Sequence, residues 1–421
     1  MAVPGQDVAE RTGPGPLSTV ARGVVPALFL TFDQFPRLVG RTLLVVAVVL
    51  AVPLLISEVT RPSSRSRGVV AWVLLAIGVL ALPGFLRPPE TEYGQQKLFF
   101  LVTLTLLAAL STAVLRGWSD WELFCKLVVL ATAVLAVAAL TADSQDGRSA
   151  GFGSNPIWLG RAIGVGMLAV AWLYFRRRLS AVLTAVSALL LVPGLLATGS
   201  RGPLLATAVG LFALALAGLR RRERQAKKEW VGVTMIVGVV LAITMMPWLR
   251  PIRLHALLTD PEDELFNSAR GEMFDHTLSL IRENPWGVGY GNWSGAVGLL
   301  GFDYPHNLWL ELPAEAGWLI AGALVLSTAL VAMRLWVVAR SDARASLGLG
   351  LLLFSTVAVS TSGDINGNRL LFIALALGLL ILRRAKRGGA GGQSRTGSGY
   401  LRRPGLVPPG PADVPRRTLV P

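Results

Sequence analysis

The chain has 421 residues, 53% of them hydrophobic and 15% charged, with a formal net charge of +15. A soluble domain carries about 25% charged residues, and runs of the roughly 20 apolar residues that cross a bilayer recur here, so a water-soluble globular protein is excluded. The positive charge lies in short loops and the C-terminal tail, which is the bias that orients membrane proteins, and this argues against a nucleic-acid surface.

Residues 1–22 are rich in Gly, Pro and polar side chains and read as a flexible segment. Residues 24–35, VVPALFLTFDQF, are short and interrupted; they read as a half-buried helix or a weak first crossing. Spans are then expected near 42–57, 68–86, 97–115, 123–140, 157–175, 180–197, 203–219, 230–248, 308–333, 345–361 and 368–382. The fold expected is an all-α, polytopic integral-membrane helical bundle with eleven spans, or twelve if 24–35 crosses, occupying residues 23–387. The single cysteine, Cys125, allows no internal disulfide and falls near the start of an apolar run, where packing is its default role.

Arg61, Arg65 and Arg67 share one loop, Arg176, Arg177 and Arg178 a second, Arg220 to Lys228 a third, and Arg340 and Arg344 a fourth. With these spans all four fall on one side, together with Arg383, Arg384, Lys386 and Arg387, and the loop-charge rule makes that side cytoplasmic. Residues 388–421, rich in Gly, Pro and Arg, read as a disordered basic cytoplasmic tail. The other side receives 87–96, 141–156, 198–202, 249–307 and 362–367. Only 249–307 is long, and it holds His255, His276 and His306, all the histidines of the chain. A long loop of this kind usually carries function.

Within that loop a helix is expected from an N-cap at Ser268 to about Arg282, with Met273, Phe274, Leu278 and Ile281 as its apolar face. Arg270 falls in its first turn, where a cation opposes the helix dipole; a solvated surface arginine is the competing reading. The following NPWGVGYGNW is a string of tight turns. Its GVGYG follows no strand and opens no βαβ unit, so it is not a dinucleotide loop.

Four further motifs face the same side. TGSRGPLL places Arg201 at the mouth of the bundle before Pro203. A planar guanidinium and the amides of a helix start suit a phosphate, while a snorkelling loop arginine is the bland alternative. In DYPHNLWLELPAEAG, His306 precedes the apolar run from 308, and Glu311 and Glu315 share one helix face within it. A helix N-terminus keeps an imidazole neutral and able to accept a proton. Ionisable groups within a span usually mark function, against the reading that the glutamates pair with arginines of neighbouring helices to lock the bundle. FGSNPIWLGRA and SGDINGNRLLF add Asn155, Arg161, Asp364, Asn366, Asn368 and Arg369 to the same rim, and Arg161, one turn inside its span, calls for an anionic partner. No cluster has metal-ligand spacing, and neither a Walker loop nor a serine nucleophile elbow is present.

Taken in order, TGSRGPLL, NSARGEM with NPWGVGYGNW, and YPHNLWLELPAEAGWLIAG resemble the O-antigen ligase and polymerase superfamily, over roughly residues 150–380. The resemblance implies a bundle similar to membrane glycosyltransferases that use lipid-linked donors, with one large extracytoplasmic loop. It implies transfer of a glycan from an undecaprenyl-diphosphate carrier to an acceptor hydroxyl, on a glycan or lipid-glycan, at the outer face of the cytoplasmic membrane, with neither metal nor other cofactor. By matching motifs, Arg201 and Arg270 would bind the donor diphosphate, His306 would be the general base, and Glu315 would orient His306 or an arginine. The competing class is a solute transporter, which would place its site near the bilayer midplane in repeated halves; here the polar residues gather at one rim and no repeat is visible.

Overall fold

The computed structural model describes residues 16–60, 66–145, 148–219, 269–298 and 301–393. The chain opens with α1 (Pro16–Thr31) and a single 3-10 turn, Phe32–Gln34, that reverses into α2 (Arg37–Thr60). Next come α3 (Arg67–Leu86) and α4 (Glu92–Val114), the latter one rod that passes through a π turn at Leu101–Thr105. Then follow α5 (Trp118–Thr141), α6 (Pro156–Phe175), α7 (Ala181–Ala197) and α8 (Arg201–Leu219). After the undescribed stretch lie α9 (Ala269–Glu283), α10 (Trp293–Val297), α11 (Leu308–Ala316), α12 (Trp318–Val338), α13 (Ala343–Thr361) and α14 (Arg369–Gln393). A two-residue antiparallel ladder, Ser144–Gln145 with Arg148–Ser149, is the only sheet among the described residues.

This is a multi-pass helical membrane protein: α2, α3, α4, α5, α6, α8, α12 and α13 are each long and apolar enough to cross a bilayer. Burial sorts them. In α6, 83% of the apolar window is buried and in α13 72%, against 17% in α2 and 28% in α12. Val45, Val49 and Ile56 of α2, Leu130 and Val134 of α5, and Leu326 and Met333 of α12 point outward, more than half or nearly half exposed. Apolar exposure on this scale marks lipid-facing surface rather than a water-facing one. The inner helices approach closely through small residues: Gly210 of α8 lies against Gly350 of α13, and Gly166 of α6 against Thr132 of α5.

The basic loops meet at one end. Arg384 donates to the carbonyls of Leu115 and Arg116, and Arg116 pairs with Glu58. Arg178 pairs with Glu122 at 2.7 Å, while Arg176 and Arg344 each lie over the Trp118 ring, 4.2 and 4.3 Å from its centroid. The starts of α3, α5 and α13 and the ends of α2, α6 and α14 therefore share an end, as the loop charges require.

Nine of the eleven expected spans coincide with observed helices, 308–333 is divided between two, and 230–248 lies outside the described residues. Three expectations need correction. Residues 16–22, read as flexible, already belong to α1; Pro16 opens it at the favoured first position, and its Val25, Ala27 and Phe29 are buried. At the other terminus α14 continues through residues 388–393, since no proline interrupts the chain before Pro404. Third, 308–333 is not one span. Gly317 adopts φ 87° and ends α11, and a Cβ there would lie 2.8 Å from the backbone of Trp286. Only glycine takes that conformation at no steric cost, so the glutamates lie on a short helix preceding the crossing α12.

Candidate active site

At the end opposite the basic loops, four segments interlock around buried charge. Lys97, in the second turn of α4, has its ammonium 2.7 Å from Glu311 Oε1 and 2.7 and 2.9 Å from the two oxygens of Glu315. Its three N–H donors are thereby used. All three side chains are at most 1% exposed. Glu311 also accepts from the backbone N–H of Ile365 at 3.3 Å, and Glu315 from that of Gly291 at 3.1 Å. The Lys97 carbonyl in turn accepts from Asn366 at 3.0 Å. One lysine and two glutamates thus hold α4, α11, the 284–292 turn and the 362–368 loop together.

The GVGYG turn acts as a collar on α11. The N–H groups of Val288 and Gly289 donate to the carbonyls of Ala314 and Glu315, satisfying the helix end. Gly291, at φ 77°, sits so close to α4 that a Cβ would fall 2.4 Å from the Gly94 Cα. Its glycines serve packing, in keeping with the rejection of a nucleotide loop.

His306 stands at the lip of this cluster. It is half-buried and takes φ 52°, between Pro305 and Asn307. Asn307 caps α11 by accepting from the Trp309 N–H at 3.0 Å, so the imidazole lies just outside a helix N-terminus, as expected from the sequence. A non-glycine residue held in the left-handed region is uncommon and concentrates at functional sites. Its ring is 4.4 Å from that of Tyr304, which stacks on Tyr93 at 6.4 Å; Tyr93 donates to Asp364 at 3.1 Å. Burial, with Asp364 and Glu311 nearby, pushes the Tyr304 phenol up to about 12. It is therefore a protonated donor beside the imidazole at neutral pH.

Arg201 opens α8 and is half-buried. The next residue, Gly202, lies against the Thr361 side chain at the end of α13, which leads into the 362–368 loop. This joins the start of α8 to the same end as the His306 loop. Arg270 lies in the first turn of α9, where a helix was expected; its side chain is outside the described residues. The buried face of α9 is Met273, Thr277, Leu280 and Ile281, packed on Trp293 and Ala314, whereas Phe274 points outward and Leu278 is half-buried. The Trp293 indole donating to Thr277 at 2.9 Å rotates the helix to this register.

Residues 186–325, a third of the chain, match the family described as O-antigen ligase. That segment is similar to the O-antigen ligase family. The matched segment includes Arg201, Arg270, His306, Glu311 and Glu315, so the motifs picked out by the resemblance lie inside it. No curated protein sequence matches the chain. The likeness to the O-antigen ligase family, together with the membrane-spanning helices, supports a glycosyltransferase-like membrane enzyme.

Around these motifs, the structure adds three residues to the site. Glu315 is held by Lys97 and by the Gly291 N–H, since a buried carboxylate needs a cation and hydrogen-bond donors. The bundle-locking pair that competed with a catalytic role is present, with a lysine in place of the expected arginine. Lys97, Tyr93 and Tyr304 were not singled out in the sequence. The one available signal was Lys97 itself, an ammonium at the head of an apolar run.

Proposed function

We propose that this protein moves a glycan from an undecaprenyl-diphosphate-linked donor to an acceptor hydroxyl at the outer face of the cytoplasmic membrane, as a polysaccharide ligase or polymerase. The observation that supports it best is His306, held in a left-handed turn at a helix start, at the bundle end opposite the arginine-rich loops. By the loop-charge rule that end is extracytoplasmic.

In this reading His306 takes the proton of the acceptor hydroxyl as its oxygen attacks the anomeric carbon. The bond from that carbon to the donor diphosphate breaks, and the charge leaves on the diphosphate. Arg201 and Arg270 bind it. Guanidinium groups fixed where charge develops stabilise the transition state, and their bidentate geometry fits phosphate oxygens. The Lys97–Glu311–Glu315 cluster acts behind the reacting groups: it fixes α11, and with it the His306 turn, against α4.

Two outcomes are expected. Arg201→Ala and Arg270→Ala each lose about 10²–10³-fold in transfer by the purified protein with a lipid-linked donor, the scale of removing one preorganised donor, while insertion into the membrane is unchanged. Retention of wild-type transfer by both would remove the diphosphate assignment. Because arginines take the role a metal often fills, EDTA leaves the rate of the purified enzyme unaltered; a loss restored by added Mg²⁺ would show a metal at work. The decisive experiment in cells is deletion of the gene with inspection of the surface glycan. Loss of long chains indicates a polymerase, accumulation of finished lipid-linked chains a ligase, and an unaltered glycan overturns the function.

A further inference from the structure

Trp286, in the turn that follows α9, is 74% exposed, yet the backbone around it is held on both sides. The Trp318 N–H donates to the Pro285 carbonyl at 3.0 Å, and the Arg87 guanidinium donates to the Gly287 carbonyl at 3.0 Å. The turn is therefore clamped between the end of α3 and the start of α12.

Those two helix ends fix its depth. α3 and α12 are 20 and 21 residues long, each about 30 Å at the rise of an α-helix, which matches the hydrocarbon core of a bilayer. Arg67 and Val338 are their ends at the arginine-rich loops. Leu86 and Trp318 accordingly stand at the opposite hydrocarbon boundary. Phe85, Leu86, Trp318 and Leu319, at these two ends, are each more than half exposed, and they continue the lipid-facing sides of α3 and α12 up to the turn. Arg87, Arg282 and Glu283 are exposed there too, as suits a layer where apolar and polar groups meet. Tryptophan, with a large apolar ring and one N–H, is enriched at that layer.

We infer that Trp286 is a membrane anchor of the large loop, its indole set among the lipid headgroups and upper acyl chains at the end opposite the arginine-rich loops. The partner is the bilayer itself. The anchor holds the end of α9, whose first turn carries Arg270, at headgroup depth. It stands apart from the glycan-transfer reading and is measured without donor, acceptor or turnover.

The test uses the full chain in nanodiscs of dioleoyl-phosphatidylcholine. A nitroxide is attached at Trp286→Cys; Cys125 is buried and stays unlabelled. Leu319→Cys serves as the lipid reference and the exposed Ser341→Cys, in the loop after α12, as the water reference. The label at 286 is expected to match that at 319, colliding with dissolved oxygen in preference to a water-soluble nickel chelate. A match to 341 overturns the inference. Shielding from both reagents means that protein covers the turn, and overturns it as well. A second measurement needs no label. Trp286→Phe keeps an aromatic ring on the turn and loses only the emission of this indole. The lost emission is expected to be quenched more by phosphatidylcholine brominated near its headgroup than by iodide in the buffer; the reverse order overturns the anchor. Should Trp286→Cys fail to reconstitute, this comparison decides alone.

Discussion

Replacing His306 is expected to lower glycan transfer by about 10²–10⁴-fold, the contribution of a positioned general base, without loss of protein from the membrane. The choice of replacement matters. At φ 52° an alanine carries the left-handed steric cost of its Cβ, so a dead His306→Ala enzyme would confound chemistry with a distorted turn. Asparagine visits this region more readily than most residues and has no basic nitrogen. His306→Asn should therefore keep the turn, the Asn307 cap and the α11 start, and still lose transfer to the same extent as His306→Ala. Single-turnover rates with saturating donor separate the chemical step from binding. If His306→Asn retains more than a tenth of the wild-type rate, His306 is a structural turn residue and the base lies elsewhere. A companion variant, Tyr304→Phe, removes the protonated phenol beside the imidazole while keeping the stack on Tyr93, and should slow transfer far less than loss of the imidazole does.

The sequence carried the bundle well because its signals are thermodynamic at the level of single helices. An apolar run of bilayer length has one stable outcome in lipid, and arginine-rich loops sort to one side, which agrees with the meeting of Arg384 with Leu115 and of Arg344 with Trp118 at one end. The break at Gly317 was hidden for the same reason: Leu308 to Val338 carries no charge apart from Glu311, Glu315 and Arg334, and hydropathy does not register a single residue with positive φ. The register of α9 was misjudged because Thr277 takes a buried position by receiving the Trp293 N–H, a tertiary hydrogen bond that periodicity of apolar residues does not encode. At the site, His306 and the two glutamates were visible as ionisable groups in greasy surroundings. Their partner Lys97 was not linked to them, since 214 residues separate Lys97 from Glu311 and only packing of α4 on α11 brings them together.

That long-range contact leads to the second large effect. Lys97→Met leaves two carboxylates buried side by side with no cation, and breaking a buried ion pair from one side costs about 3–5 kcal/mol. The variant is expected to unfold in detergent several degrees below the wild type, or to be cleared from the membrane. The cost comes from the carboxylates left behind rather than from loss of the lysine's own packing, and a triple variant separates the two. Glu311→Gln and Glu315→Gln added to Lys97→Met remove both charges, yet each amide oxygen still accepts from the Ile365 and Gly291 N–H groups. Thermal unfolding of the triple variant, followed by the fraction remaining monodisperse after heating, should return most of the way to the wild type. Its transfer activity should stay reduced if α11 needs the ion cluster to hold the His306 turn, and return with stability if the cluster serves folding alone. A Lys97→Met protein as stable as the wild type would mean that the glutamates reach water or carry protons in the folded bundle, and the account of a dry, charged clamp beneath His306 would have to be given up.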